Sequence, residues 1–178
     1  MKLVEPSLEY RQPYLDMLAA WDKIEDYRTQ SPFPLSFETS DFDLFLNQIE
    51  DLKYRPASGM VPSTTYWLID DDGQVVAVSN LRHTLNSNLE KMGGHIGYGT
   101  RADKRRMGYA TQILAKTLEK ANQMGITRAL VTCSPDNIGS NKVILNNQGI
   151  WQDEIEVDGK KLNRYWIETS LRGIEKSK

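Results

Sequence analysis

The sequence predicts a mixed α/β fold around a largely antiparallel sheet, and three observations carry the prediction. From Thr64 the apolar period changes to that of strands, in "TTYWLID", a "DDG" turn and "QVVAVSNLRH", which together read as a hairpin. A second hairpin follows later, "IWQDEIEV" and "KKLNRYWIET" about the turn Asp158-Gly159. Between them, the run from Gly108 to Met124 places Ala110, Ile113, Leu114, Thr117, Leu118 and Ala121 at steps of three or four, the spacing of one helical face.

The remaining elements follow in order. A short strand spans Lys2 to Val4. Pro6 and Ser7 then start a helix with Leu8, Leu15, Leu18, Ala19 and Ile24 at helical intervals, and Pro13 either sits in its first turns or splits it. Residues 29–38, with two prolines, read as a loop; Ser40 caps a second helix that buries Phe42, Phe45, Leu46 and Ile49 and ends near Lys53. "RPASGMVPST" is a surface loop, and a more polar loop follows the first hairpin. "MGGHIGYGT" is a strand, "RALVTC" another, and Ile138 to Asn147 a short helix.

A chain of 178 residues with 39% hydrophobic content is expected to form one domain over residues 1–178, its tail 171–178 frayed. The formal charge of −2 gives no general attraction to nucleic acid or to an anionic membrane, so anion binding has to come from a local cluster. One cysteine, Cys133, excludes an intramolecular disulfide, and two histidines do not argue for a metal site. No metal is expected. The N-terminus turns polar within five residues and no run of ~18 apolar residues occurs, so a cytoplasmic location is expected.

The local cluster is "TRADKRRMGYA", where Arg101, Lys104, Arg105 and Arg106 crowd a turn immediately before Gly108 opens the helix. A helix start carries about half a positive charge and several unpaired N–H groups, so a glycine turn there lets a phosphate approach the backbone closely. Arg105 and Arg106 would add charge-assisted contacts.

Residues Arg105 to Ala110, R-R-M-G-Y-A, resemble the R/Q-x-x-G-x-G/A acyl-CoA signature of the GNAT N-acetyltransferase superfamily, and the element order over most of residues 2–169 is similar to that family. The resemblance implies a central sheet whose strands at 92–100 and 128–133 splay to admit pantetheine, with acetyl-CoA as cosubstrate and acetyl transfer to a small-molecule or peptide amine in a ternary complex. It implies that Arg105, Arg106, Met107, Gly108, Tyr109 and Ala110 grip the pyrophosphate. Main-chain groups of Tyr98, Gly99 and Thr100 would pair with the pantetheine arm, and Asn137 and Ser140 would touch it. Gly97 and Gly99 weaken a strand unless something comes close to it, and a pantetheine arm or a splay would explain them. A homodimer is common in the family; neither nucleic acid nor membrane is expected as a partner.

For catalysis the resemblance shows a departure. The helix position where relatives carry a proton-donating tyrosine holds Ile144 or Leu145, neither of which can transfer a proton. His95 lies in the strand region where relatives carry a base, and an ordinary pKa of ~6.5 suits proton removal. His83, which with Asn80 and Arg82 ends the neighbouring strand and could face the acceptor, is a second candidate base, and Tyr165 a replacement acid. Cys133 reads as a small buried residue. Trp21, Tyr27, Phe33, Phe37, Tyr66 and Trp151 suggest a partly apolar acceptor pocket; Asp22, Glu25 and Asp26 read as a solvated helix face. Two other readings are a non-catalytic acyl-CoA sensor and a nucleotide-binding domain, the latter disfavoured because neither G-x-x-x-x-G-K-[ST] nor G-x-G-x-x-G occurs.

Overall fold

Hairpin chemistry decides the architecture of this computed structural model, which describes residues 1–23 and 31–170. Strands β1 (Lys2–Val4), β2 (Ser63–Ile69), β3 (Val75–Arg82) and β4 (Ile96–Thr100) form one antiparallel sheet in that order. Strands β5 (Arg128–Cys133), β6 (Ile150–Val157) and β7 (Lys160–Glu168) form a second antiparallel sheet with β7 central. The described strands form no ladder between β4 and β5, so the two sheets meet there and diverge.

Helix α1 (Arg11–Asp22) follows a single 3-10 turn at Leu8–Tyr10, with Pro13 in its first turn, where a missing N–H costs no helical bond. Its buried stripe is Tyr14, Met17, Leu18, Ala20 and Trp21, whereas Leu8 and Ala19 are exposed. The aliphatic spacing misplaced this face because aromatic stacking decides it. The Tyr14 ring lies 4.3 Å from Trp67 at 15° and 5.3 Å from Phe45 at 26°, contacts that add to plain area burial. Ile24 and the first two residues of the expected loop lie outside the described residues, as does the tail 171–178.

Helix α2 (Phe42–Tyr54) is capped by Asp41 and not by Ser40. The Asp41 carboxylate accepts the Leu44 N–H at 3.0 Å, while the Ser40 N–H donates to Glu38 Oε1 at 3.2 Å, one residue outside the cap. Inside the polar loop a helix α3 (Ser87–Lys91) forms, capped by the Asn86 side chain; five residues are too few to show a helical period in sequence. Helices α4 (Tyr109–Gln123) and α5 (Ile138–Asn146) stand within a residue or two of their expected ends.

Three clusters make the core among the described residues, the smallest being Leu68, Val76, Ala77 and Ile113, and the other two position the site. Tyr14, Met17, Trp21, Phe42, Phe45 and Trp67 pack α1 and α2 on one face of the first sheet. On the other face, Leu114 and Leu118 of α4 and Ile144 of α5 pack against Leu81 and Ile96 of the first sheet and against Val131, Tyr165 and Ile167 of the second. Each such fully buried side chain stabilises by about 1.5–3 kcal/mol. This second cluster is what holds the two sheets in one body around the gap between β4 and β5.

Candidate active site

The gap is a wedge with one closed end. At that end the His95 N–H donates to the Leu130 carbonyl at 2.7 Å, and the Leu130 N–H donates to His95 Nδ1 at 2.9 Å. Beyond this pair β4 and β5 separate. The Arg82 N–H donates to the His95 carbonyl and the Arg101 N–H to the Val76 carbonyl. By the alternation of an antiparallel ladder, Ile96, Tyr98 and Thr100 therefore turn their main-chain N–H and C=O groups away from β3, into the wedge.

The closed end is fastened from several sides. Gly93 and Gly94 have φ of +105° and +60°, conformations that favour glycine, and a Cβ at Gly94 would collide with the Leu130 carbonyl. The Arg82 guanidinium donates to the carbonyls of both glycines at 3.1 Å, and the Gly93 N–H donates to Thr132 Oγ1 at 3.0 Å. His95 is buried, and burial together with the Arg82 charge lowers its pKa to about 4. Because a main-chain N–H only donates, Nδ1 carries no proton and Nε2 does. The neutral ring then offers no free lone pair.

The basic turn lies at the open end. After Thr100 a 3-10 turn, Ala102–Lys104, leads to Arg106 at φ +65° and Gly108 at φ +84°, the N-cap of α4. Gly108 supplies no capping side chain, and the first bond of the helix is the Gln112 N–H to the Gly108 carbonyl at 3.1 Å. The N–H groups of Tyr109, Ala110 and Thr111 are therefore left without a helical partner, beside the exposed side chains of Arg105, Arg106 and Met107. Arg101 is drawn out of the cluster: its Nε donates to Asp103 at 2.8 Å and its Nη1 reaches Gln74 at 3.4 Å.

The start of α5 supplies the third wall. Asn137 is its N-cap, its Oδ1 accepting the Ser140 N–H at 3.0 Å, and the Tyr98 hydroxyl donates to the Ser140 carbonyl at 3.4 Å. Burial pushes the Tyr98 phenol up to about 12 and the Cys133 thiol up to about 11. Asn141 ties this wall to β7: its Nδ2 donates to the carbonyls of Ser134, Pro135 and Asn137. Its Oδ1 accepts from the Tyr165 hydroxyl at 2.6 Å and from Asn163 at 3.0 Å. Tyr165 is raised from its ordinary pKa by burial first and by Cys133 next. Ile144 is fully buried in the same cluster.

Across β4 the picture differs from the expectation for Gly97 and Gly99. A Cβ at Gly97 would lie 2.9 Å from Ser31 Oγ; one at Gly99 would collide with the Ser31 carbonyl and meet the Trp21 ring at 3.2 Å. Close packing of residues 31–32 and Trp21 requires these glycines, independently of any arm in the wedge. Trp21 and Tyr66 are core residues, Phe33 and Trp151 are exposed, and Phe37 packs edge-on against Phe33. Tyr27, Glu25 and Asp26 lie outside the described residues, and Asp22 is exposed.

His83 follows Arg82 at the end of β3, its Nε2 2.9 Å from Thr64 Oγ1 and its pKa lowered by burial and then by Lys53. It lies near a cavity of about 270 Å³ that Glu5, Lys53, Thr64 and Thr65 help to line, at the outer edge of the first sheet. Sequence reasoning named Arg82 only as a companion of His83 facing the acceptor, and it missed Leu130, Thr132 and Asn141. The Gly93-Gly94 doublet was the one local sign that the chain turns sharply against a neighbour.

The wedge, the unpartnered N–H groups and the basic turn together suit a long anionic ligand with an extended arm. The chain aligns with solved structures over nearly its whole length. The ribosomal-protein-S5-alanine acetyltransferase of Vibrio fischeri superposes with a TM-score of 0.68 at 11% identity, over 94% of this chain and 92% of that one. The microcin C7 self-immunity acetyltransferase MccE, solved with acetyl-CoA and AMP, gives 0.66 at 18% identity over 93% and 91%. A mutant spermidine N-acetyltransferase of Vibrio cholerae gives 0.63 at 9% identity over 95% of each chain. At these identities the likeness shows the fold. None of the curated protein sequences matches this chain. The family description "Acetyltransferase (GNAT) domain" matches residues 2–148, and the chain belongs to the GNAT acetyltransferase family.

Proposed function

We propose that this protein transfers the acetyl group of acetyl-CoA to a primary amine by direct attack in a ternary complex. The observation that carries the reading is the wedge between β4 and β5, lined by main-chain groups of Tyr98 and Thr100, with the α4 N-terminus at its open end. Tyr109 and Ala110 N–H groups, with Arg105 and Arg106, would hold the pyrophosphate. The amides facing the wedge would hold the arm, with Asn137, Ser140, Gly99, Met107 and Gly108 shaping its walls. When bound, acetyl-CoA supplies an activated thioester.

The protein's own contribution is positioning and proton handling. The amine nitrogen bonds to the acetyl carbon, the carbon–sulfur bond breaks, one proton leaves the amine and one reaches the thiolate. Since the His95 lone pair is committed to Leu130, we assign proton removal to His83 or to water. His83 is neutral at pH 7 because its pKa lies below the ordinary value. Tyr165, kept protonated by its raised pKa, is the assigned acid. The solved neighbours are named for spermidine and for a ribosomal-protein alanine, so the acceptor is sought among polyamines and peptide N-termini. Among the described residues no helix is long and apolar enough to cross a membrane; we place the protein in the cytoplasm and propose a homodimer as its assembly.

One observation favours a second reading. Ile144, fully buried, or its neighbour Leu145 stands at the helix position where the resemblance implies a tyrosine, and neither can transfer a proton, which suits a non-catalytic acyl-CoA sensor. Calorimetry with coenzyme A, acetyl-CoA, ATP and NAD, followed by thiol release against polyamines and short peptides with free N-termini, decides among these. Heat with coenzyme A and amine-dependent thiol release support the enzyme. Heat without release from any amine supports the sensor, and no heat with coenzyme A removes both.

A further inference from the structure

We infer that His95 is a positioning residue whose ring bolts the narrow end of the wedge between β4 and β5, limiting how deep an acyl chain reaches and so selecting short acyl groups. The inference rests on the coenzyme-binding reading above.

His95 bonds Leu130 twice, once through its main chain and once through its ring. In a continuous sheet the Leu130 N–H would go to a main-chain carbonyl of the neighbouring strand; here Nδ1 takes that place. These two bonds tie the chain just before β4 to β5, and the strands diverge beyond them without a ladder. Leu130 is 1% exposed, so without the ring its N–H is left buried and unpaired, a state that protein interiors avoid. Removing the acceptor therefore takes away one of the two bonds that close the narrow end, leaving only the main-chain bond to resist a longer acyl chain pressed against it.

The surroundings hold the bolt in one state. The Arg82 guanidinium, fixed on the Gly93 and Gly94 carbonyls, is the charged group beside the ring, and Trp166 of β7 lies 6.3 Å from it at 59°. Gly94 cannot carry a side chain without striking Leu130. The ring is consequently locked by neighbours on β3, β5 and β7, and its depressed pKa keeps it an acceptor at neutral pH.

The test compares His95→Asn, whose Oδ1 can still accept the Leu130 N–H, with His95→Leu, which fills the space but accepts nothing. For each, kcat/KM is measured with acetyl-, propionyl- and butyryl-CoA on one amine. Asparagine is expected to keep the wild-type preference within about threefold, whereas leucine is expected to raise the butyryl-to-acetyl ratio by about tenfold or more, the scale on which one methylene is discriminated. Unchanged ratios in both variants, or loss of turnover with loss of the acid limb of the pH profile in both, overturn the inference.

Should His95→Leu fail to fold, nitrogen-15 histidine NMR on the wild type decides. An unprotonated Nδ1 and a ring neutral from pH 7.5 down to 5 support the bolt; the opposite tautomer, or titration near ~6.5, overturns it. Absence of coenzyme A binding in calorimetry would instead remove the underlying reading and leave the NMR result standing.

Discussion

Gly99 of β4 lies directly against the main chain of Ser31, so close that a Cβ at position 99 would collide with the Ser31 carbonyl oxygen and press on Trp21. Neither partner can yield cheaply, one being backbone and the other a core ring that is 1% exposed. Gly99→Ala is expected to lower stability by about 1–3 kcal/mol, the usual cost of overpacking. Gly97→Ala is expected to cost less, because the nearest atom there is the rotatable Ser31 hydroxyl at 2.9 Å. Urea unfolding midpoints of the two variants give the comparison, and equal values would contradict the packing described.

Arg106 offers a test in which stability and binding move in opposite directions. Its φ of +65° is a conformation that glycine adopts without strain, while its side chain is exposed. Arg106→Gly is expected to hold or slightly raise the melting temperature. Coenzyme A affinity should fall by about tenfold, the scale of one charge-assisted hydrogen bond. Calorimetry at low and high salt should show the wild-type affinity falling more steeply with salt. An unchanged affinity would take Arg106 out of the anion site.

His95 predicts a particular acid response. Its folded pKa, about 4, is below the unfolded value of ~6.5, so between these two values the unfolded chain binds a proton that the folded chain does not. Stability should be unaffected by this group above pH ~6.5 and should fall with a slope of about one proton as the pH drops from there to 4, for a total of about 3 kcal/mol. Below 4 the contribution levels off. Denaturant unfolding at a series of pH values reads the slope, and His95→Asn should remove it.

Asn141 joins α5 to β7 through the Tyr165 hydroxyl at 2.6 Å and to the loop before α5 through three carbonyls. Replacing it by Ala strands several partly buried groups at once, and a cost of about 1–3 kcal/mol is expected. If Tyr165 is the acid, freeing its hydroxyl should also shift the basic limb of the kcat profile. Thermal unfolding and a pH series of kcat separate the two effects.

Much of the frame was legible in the sequence. The hairpin from Ser63 to Arg82, the strand Arg128–Cys133 and the helix over Tyr109–Gln123 stand where alternation, turn residues and a 3–4 spacing put them, because these signals arise from a residue and its near neighbours. The buried face of α1 was not legible. Leu8 and Ala19 are exposed while Tyr14 and Trp21 are buried, since the stacking of Tyr14 on Trp67 comes from a strand more than fifty residues away. The cap of α2 falls on Asp41 in place of Ser40 because both are good cap residues, and only backbone geometry chooses between them.

What the sequence determined by itself was the order of the strands and longer helices and the helix start at Gly108 with arginines before it, which depend on local spacing, while the run Arg105 to Ala110 carries the resemblance to the family. Only the tertiary structure decided which neighbours meet His95, Gly97 and Gly99. A histidine in a strand and two glycines two residues apart read the same whether they face a ligand or a neighbour. Their surroundings depend on Leu130, Arg82, Ser31 and Trp21 arriving beside them, and contacts between distant segments leave no spacing in the sequence that could announce them.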